Sequence, residues 1–350
     1  MFFYRFWGNI KTTSGYFKSE NMKKIRWAIM GTGTIAKNFA KGLQSLDDAE
    51  LYAVASRSIE SAIQFGQNYE AQKYYGSYEE MVRDDEVDVV YIATPNSAHK
   101  DNILLCLNHN KPVLCEKPFT LNVKETQEVI RVAREKNVFL MEGMWSRFFP
   151  IMQKVQEWID ADLIGPIRMV TADFGFRREG EPEERKISLQ RAGGALMDVG
   201  IYPISFASWV LKKEPVCIKG VASLYETGVD ELSAMTFQYE SGQLAVLSCS
   251  INTPTVKEAR IIGNNGSIVI PDFAKATSAT LSVMGEEPVT ITVPLEGNGY
   301  NYEAAEVMSC LRENKTESHI MPLNETLSIM ASMDELRRQW GIVFPTENQD

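Results

Sequence analysis

The sequence predicts an α/β protein in two parts, a doubly wound parallel sheet followed by an α/β unit with an open, mostly antiparallel sheet. Two observations carry this. From residue 24 to 143 short apolar runs alternate with helix-period segments, and beyond residue 150 strand patterns joined by turn signals take over. The chain has 350 residues, enough for two cores. The expected division is an N-terminal extension over 1–23, a dinucleotide-binding domain over 24–145 and a substrate-binding and oligomerisation domain over 146–350.

The first run, Ile25 to Met30, reads as a buried strand, and a helix pattern follows from Thr34 through Leu43. Between them lie Gly31, Thr32, Gly33, Thr34, Ile35 and Ala36. Gly31 permits a tight turn, Gly33 lets the backbone approach a pyrophosphate, and Ala36 keeps the helix close to its strand. The helix N-terminus offers free N–H groups and a partial positive charge. A merely structural glycine turn is the plain alternative.

Five further strands are expected at Glu50–Ser56, Lys73–Tyr75, Val87–Ala93, Pro112–Cys115 and Val138–Gly143. The expected helices are Ile59–Tyr69, Ser77–Asp84, His99–Asn108 and Leu121–Lys136. Repeated βα units imply right-handed crossovers, with ligands at the carboxyl ends of the strands. After the second strand stands Ser56-Arg57-Ser58, where an NAD site usually has an acid. Arg57 can pair with a 2′-phosphate and the serine hydroxyls can donate to it, which favours NADP; an exposed turn arginine is the alternative. After the fourth strand, Thr94, Pro95 and Asn96 are placed to meet the cofactor, and His99 either caps a helix or lies near the nicotinamide. After the fifth, Glu116-Lys117-Pro118 sets a lysine beside the expected nicotinamide, with Pro118 a candidate cis residue.

In the second half a helix over Ile151–Trp158 precedes eight strand candidates between Ile167 and Val293. Glu240-Ser241-Gly242 and Gly263-Asn264-Asn265-Gly266 mark hairpins. Helices at Glu303–Glu313 and Asn324–Trp340 close the chain, with Asn324 the expected cap and Gly341 the stop. Between the first two strands Asp198 and Tyr202 stand four apart, on one face if helical. Gly193, Gly194 and Gly200 allow close approach there, and Tyr202 packed in a core is the plain reading.

Composition narrows the function classes. The net charge of −10 argues against nucleic-acid or anionic-membrane binding. Apolar content of 44% with charged content of 23% is that of an ordinary globular protein. Five scattered cysteines read as reduced core residues. No run of eighteen apolar residues suggests a membrane span, and no metal site is assigned. Residues 1–21 are aromatic and basic, either an extension or an ordered arm.

The glycine turn, Glu116-Lys117-Pro118 and Gly193-Gly194 followed by Asp198, Gly200 and Tyr202 together resemble the glucose–fructose oxidoreductase, inositol dehydrogenase and MocA (Gfo/Idh/MocA) family. Met141 to Pro150 looks like its trans-dihydrodiol and D-xylose dehydrogenase branch. The resemblance implies a Rossmann domain, with Lys117 between cofactor and substrate, facing Asp198 and Tyr202 across the cleft. Trp145 and Arg147 would line the pocket and Phe174 its wall. It also implies a cytoplasmic enzyme acting on a sugar or cyclic diol, and a homodimer or homotetramer through the open sheet. Lys117⁺ would bring the Tyr202 phenol toward neutrality, with Asp198 orienting the substrate hydroxyl or Lys117; Lys117 itself is the other candidate base. A ketosugar reductase and a non-catalytic regulator of the same fold are the rival readings.

Overall fold

The computed structural model describes residues 23–177 and 184–348, so the segment 1–21, whether extension or ordered arm, lies outside the described residues. The first sheet takes β1 (Ile25–Met30), β2 (Ala49–Ala55), β3 (Lys73–Tyr75), β4 (Val89–Ile92), β5 (Val113–Glu116) and β6 (Leu140–Gly143). Interleaved are α1 (Thr34–Leu43), α2 (Ile59–Asn68), α3 (Tyr78–Val82), α4 (His99–Asn108) and α5 (Val123–Lys136). The strands are parallel in the order β3-β2-β1-β4-β5-β6. Strand order reverses between β1 and β4, which opens a crevice at their carboxyl ends. Strand side chains alternate between faces, so β1 feeds two cores. Trp27 and Ile29 pack with Phe39, Tyr91 and Leu114, while Ala28 and Met30 pack with Val90, Ile92 and Ile103.

After α6 (Pro150–Asp160) come β7 (Ile167–Gly175), α7 (Glu184–Ile187) and α8 (Ile201–Leu211). Then follow β8 (Cys217–Leu224), β9 (Asp230–Gln238), β10 (Leu244–Ser250), β11 (Glu258–Gly263), β12 (Gly266–Pro271), β13 (Ser278–Val283) and β14 (Val289–Thr292). These eight strands form one sheet, β14-β13-β12-β11-β7-β10-β9-β8. Neighbours are antiparallel except β7 and β10. The long connection through α7 and α8 lets β7 enter the middle of the sheet rather than pair with β8. Both marked hairpins form, joining β9 to β10 and β11 to β12.

One face of this sheet is covered by α8, on β7 and β10, and by α10 (Leu323–Trp340), on β8. The other face leaves Val221, Leu232, Leu244 and Val246 exposed. The closing helices return to the first sheet: α9 (Tyr300–Arg312) packs on α1 and α10 on α5. Gly341 ends α10 with φ +72° as expected. Asn324 does not cap it. The residue before the helix is Pro322, and Asn324 Oδ1 accepts from Arg134 Nη2 at 2.9 Å. The helical run Leu189–Leu211 is long and apolar enough to cross a membrane, but 89% of its apolar window is buried, as in a core helix.

At the end of β6 the Glu142 side chain is fully buried, its two oxygens without a hydrogen-bond partner among the described residues. Burial pushes its carboxyl from 4.5 up to about 7. An acid that binds its proton more tightly folded than unfolded stabilises the fold fully below the unfolded value and loses that contribution as pH rises through the folded one. Melting temperature measured from about pH 4 to pH 8 should therefore fall more steeply for the native chain than for Glu142→Gln. The difference is worth roughly 2–4 kcal/mol, and parallel curves would show that Glu142 is ionised in the fold.

Candidate active site

The site begins at the crevice. Gly31 has φ +102°, and a Cβ there would come within 2.9 Å of the Ala93 carbonyl oxygen, so only glycine lets the β1 turn lie against the end of β4. At Gly33 a Cβ would meet nothing within 4 Å, which leaves open space above the turn. Gly33 is also the residue before α1, and no side chain caps the helix. Its first amides are therefore free for an anion, with Thr32 half-buried and Thr34 and Ile35 exposed around them. These residues fit the pyrophosphate of a dinucleotide.

At the end of β2, Ser56 is half-buried and Arg57 is exposed, with no ion pair among the described residues. Ser58 is not available as a phosphate donor. Its Oγ caps α2 by accepting from Ser61 N at 3.3 Å and donates to Glu60 Oε2 at 2.7 Å. Beyond β4, Pro95 and Asn96 open a short turn, and Thr94 Oγ1 accepts from Asn102 Nδ2 at 2.9 Å. His99 is fully buried and is the first residue of α4 rather than its cap, which falls at Ala98. Its ring nitrogens lie 2.9 Å from Thr94 O and 3.0 Å from Pro118 O, so it braces the β4 loop against the β5 loop. Burial holds its pKa below the ordinary value.

The Lys117–Pro118 peptide is cis. Glu116 turns inward rather than toward the crevice: Oε1 accepts from the Tyr91 hydroxyl and Oε2 from Lys117 N at 3.2 Å. Its role is to hold the Lys117 backbone. Behind it Glu303 is fully buried with both oxygens unpaired among the described residues, and burial, with Glu116 beside it, raises its carboxyl well above the ordinary range.

Lys117 reaches α8. Its Nζ donates to the Asp198 backbone carbonyl at 2.6 Å and lies 4.8 Å from the centre of the Tyr202 ring. The two side chains therefore meet directly instead of facing each other across a gap. Asp198 sits in a π-helical turn, Leu196–Gly200, that leads into α8. Asp230 holds that turn by accepting from Leu196 N at 2.7 Å, and Gly194 at φ +117° leaves room, since a Cβ would lie 2.4 Å from Asp230 Oδ1. The Asp198 carboxylate pairs with Lys186 Nζ at 3.0 Å and Arg185 Nη2 at 3.6 Å. Lys117 takes the main-chain oxygen, not the acid.

Tyr202 OH accepts from Trp145 Nε1 at 3.0 Å, and Trp145 stacks on Tyr300 with centroids 4.7 Å apart. Phe174 tilts against the Tyr202 ring at 5.2 Å. Burial pushes the Tyr202 phenol well above 10, and Glu116 adds to this; the Trp145 N–H pulls the other way. The ammonium over the ring face does not bring the phenol's pKa down toward neutral pH in this state. Arg147 is a structural residue, almost wholly buried. It donates to Ser205 Oγ at 2.8 Å and Ser205 O at 2.7 Å, and pairs with Glu325 at 2.7 Å, leaving little of its fork for a substrate.

Glu303, Asp230, Tyr300, Arg185 and Lys186 carry no motif that marks them in the sequence. Glu303 looks like an ordinary first-turn acid complementing a helix dipole, and only its burial beside Glu116 changes that reading.

Residues 25–144 match the family model "Oxidoreductase family, NAD-binding Rossmann fold", and residues 152–269 match the "GFO/IDH/MocA C-terminal domain". The chain is 37% identical to the trans-1,2-dihydrobenzene-1,2-diol dehydrogenase of Xenopus tropicalis, over 91% of this chain and 99% of that protein. It is also 37% identical to the Mus musculus enzyme of the same name, over 93% and 99%. In fold it resembles KijD10, a 3-ketoreductase from Actinomadura kijaniata solved with NADP and TDP-benzene. The TM-score is 0.78 at 22% identity, covering 90% of this chain and 98% of that one. The glycine turn, the lysine and tyrosine in contact and the two matched domains thus agree, and the chain belongs to the Gfo/Idh/MocA oxidoreductase family, as a dehydrogenase acting on CH–OH groups.

Proposed function

We propose that the protein is an NADP-dependent oxidoreductase acting on a secondary alcohol, or its ketone, of a sugar or cyclic trans-diol, with Lys117 and Tyr202 as its acid–base pair. The observation that carries this is the Lys117 ammonium resting on the Tyr202 ring at 4.8 Å, at the carboxyl end of β5 in the sheet that opens the glycine turn. Gly31, Gly33 and the first turn of α1 would hold the pyrophosphate, with Thr94, Pro95 and Asn96 along the path toward Lys117. Bound there, the nicotinamide supplies or accepts the hydride. The relatives' name, a dihydrodiol dehydrogenase, supports a cyclic diol as substrate.

In this scheme Tyr202 moves the proton at its hydroxyl, Trp145 fixes that oxygen, and Lys117 supplies positive charge to the substrate oxygen as an alkoxide develops. Asp198 anchors Lys117 through its carbonyl. A phenol kept protonated by burial is ready to donate, which favours the reductive direction at neutral pH and supports ketosugar reduction as the second reading. Alcohol oxidation needs the phenolate, so its rate should rise toward alkaline pH while ketone reduction stays flat through neutrality. Arg57, unpaired at the end of β2, is the residue for a 2′-phosphate. The exposed apolar strip of the second sheet is the surface for a homodimer.

Tyr202→Phe should lower turnover by about 10²–10⁴-fold while NADP⁺ affinity measured by calorimetry stays unchanged; undiminished turnover removes Tyr202 from the chemistry. Arg57→Asp should move the ratio of coenzyme efficiencies toward NAD by roughly tenfold or more, as expected for a lost charge-assisted bond. An unmoved ratio places the 2′-phosphate elsewhere. Absorbance at 340 nm with NADP⁺ and a panel of sugars and trans-dihydrodiols tests the whole reading. Tight NADP⁺ binding with no turnover would make the protein a regulator.

A further inference from the structure

Beyond the Tyr202 ring stands a cation that the proposed reaction does not use. Lys257 Nζ lies over the Phe174 ring at 5.8 Å, and that same ring tilts against Tyr202 at 5.2 Å. The ammonium is thus one aromatic ring beyond the catalytic pair, and 5.8 Å is near the outer limit for attraction to a ring face. Lys257 is half-buried and has no ion pair among the described residues. Its contact with Phe174 is too weak to hold the head group against a better partner.

The backbone is arranged to put the side chain there. Lys257 has φ +61°, in the left-handed region that a long side chain rarely adopts. Bonds on both sides hold it: its N–H donates to Asp173 Oδ2 at 2.7 Å, and its carbonyl accepts from Phe273 N at 3.2 Å. Asp173, the nearby acid, also accepts from Glu258 N at 3.4 Å, so its oxygens serve the backbone. Strained, well-anchored positions of this kind cluster at ligand sites.

The nearby acids leave the ammonium available. Among the described residues no carboxylate pairs with Lys257 Nζ: Asp198 is taken by Arg185 and Lys186, and the Asp173 oxygens accept from Lys257 N and Glu258 N. A neutral sugar or diol gives this ammonium nothing to neutralise, whereas an anion would.

We propose that Lys257 is the anion subsite of the substrate cleft, and that the preferred substrate is a cyclic secondary alcohol, or its ketone, bearing one exocyclic carboxylate or phosphate. The reacting carbon would sit at Lys117 and Tyr202 and the acid group across the ring at Lys257, in contact with Phe174. This rests on the oxidoreductase reading above and names its substrate class.

The test compares kcat/KM of the NADP⁺-loaded enzyme on matched neutral and anionic alcohols. D-glucose is set against D-glucuronate and D-glucose 6-phosphate, and benzene trans-dihydrodiol against its carboxylated counterpart. At least one anionic member should exceed its neutral match by about tenfold or more, as a charge-assisted bond to a half-exposed lysine provides. Which anion wins separates carboxylate from phosphate. Lys257→Met should lower that preference at least tenfold, Lys257→Arg should keep it, and Lys154→Met, whose ammonium pairs with Glu157 on α6, should leave it intact. Calorimetry of the winning compound on NADPH-loaded enzyme, where no oxidation occurs, should show the same loss with Lys257→Met. Equal efficiency for neutral and anionic members, or a preference that survives Lys257→Met, overturns the subsite and leaves the oxidoreductase standing. Turnover of no compound in either series overturns the oxidoreductase reading, and the subsite falls with it.

Discussion

The structure depends on where one ammonium is held. Lys117 belongs to the first sheet and Tyr202 to the helix that supports the second, and the contact between them closes the cleft in which hydride transfer is proposed. The bond from Nζ to the Asp198 carbonyl at 2.6 Å is charge-assisted and worth about 1.5–3 kcal/mol. The ring face adds roughly 0.5–2 kcal/mol. Much of the surrounding architecture serves this placement. His99 joins the β4 and β5 loops, Glu116 fixes the Lys117 amide, Asp230 seats the turn that presents the Asp198 carbonyl, and Trp145 fixes the phenol oxygen.

Carboxyl groups set the electrostatics behind the pair. Burial raises the carboxyls of both Glu116 and Glu303, and the charge on Glu116 raises Glu303 further. The phenol of Tyr202, close to the same acids and buried, keeps its proton. A protonated tyrosine beside a lysine is a proton donor at rest, so bound nicotinamide and substrate must shift the local field before it can act as a base. The direction of reaction favoured at a given pH follows from that difference.

The fold was legible because its signals are local. The apolar run of β1, the glycine turn and the βα alternation each identify themselves within a dozen residues, and both hairpin turns name their strands. Lys117, Asp198 and Tyr202 were legible through their motifs, and they do come together. Their partners were not. Whether the carboxylate or the carbonyl of Asp198 meets Lys117 depends on a π-turn that Asp230 seats from another strand. The family resemblance put Arg147 in the pocket beside Trp145, yet Ser205 and the half-buried Glu325 of α10 take its guanidinium. Asn324 looked like a cap, but Pro322 precedes the helix and Arg134 uses its side chain. In each case a contact between residues distant in sequence decided the role, and periodicity carries no record of such contacts.

The central claim is that Lys117 and Tyr202 act as one unit. A double-mutant cycle on turnover measures this most directly, using Lys117→Met, Tyr202→Phe and the double variant under conditions that saturate coenzyme. Residues that share one function are strongly non-additive. The account predicts that the double variant is no more than a few-fold slower than the worse single variant. Losses that multiply in full would show that the lysine and the tyrosine work independently, and would contradict it.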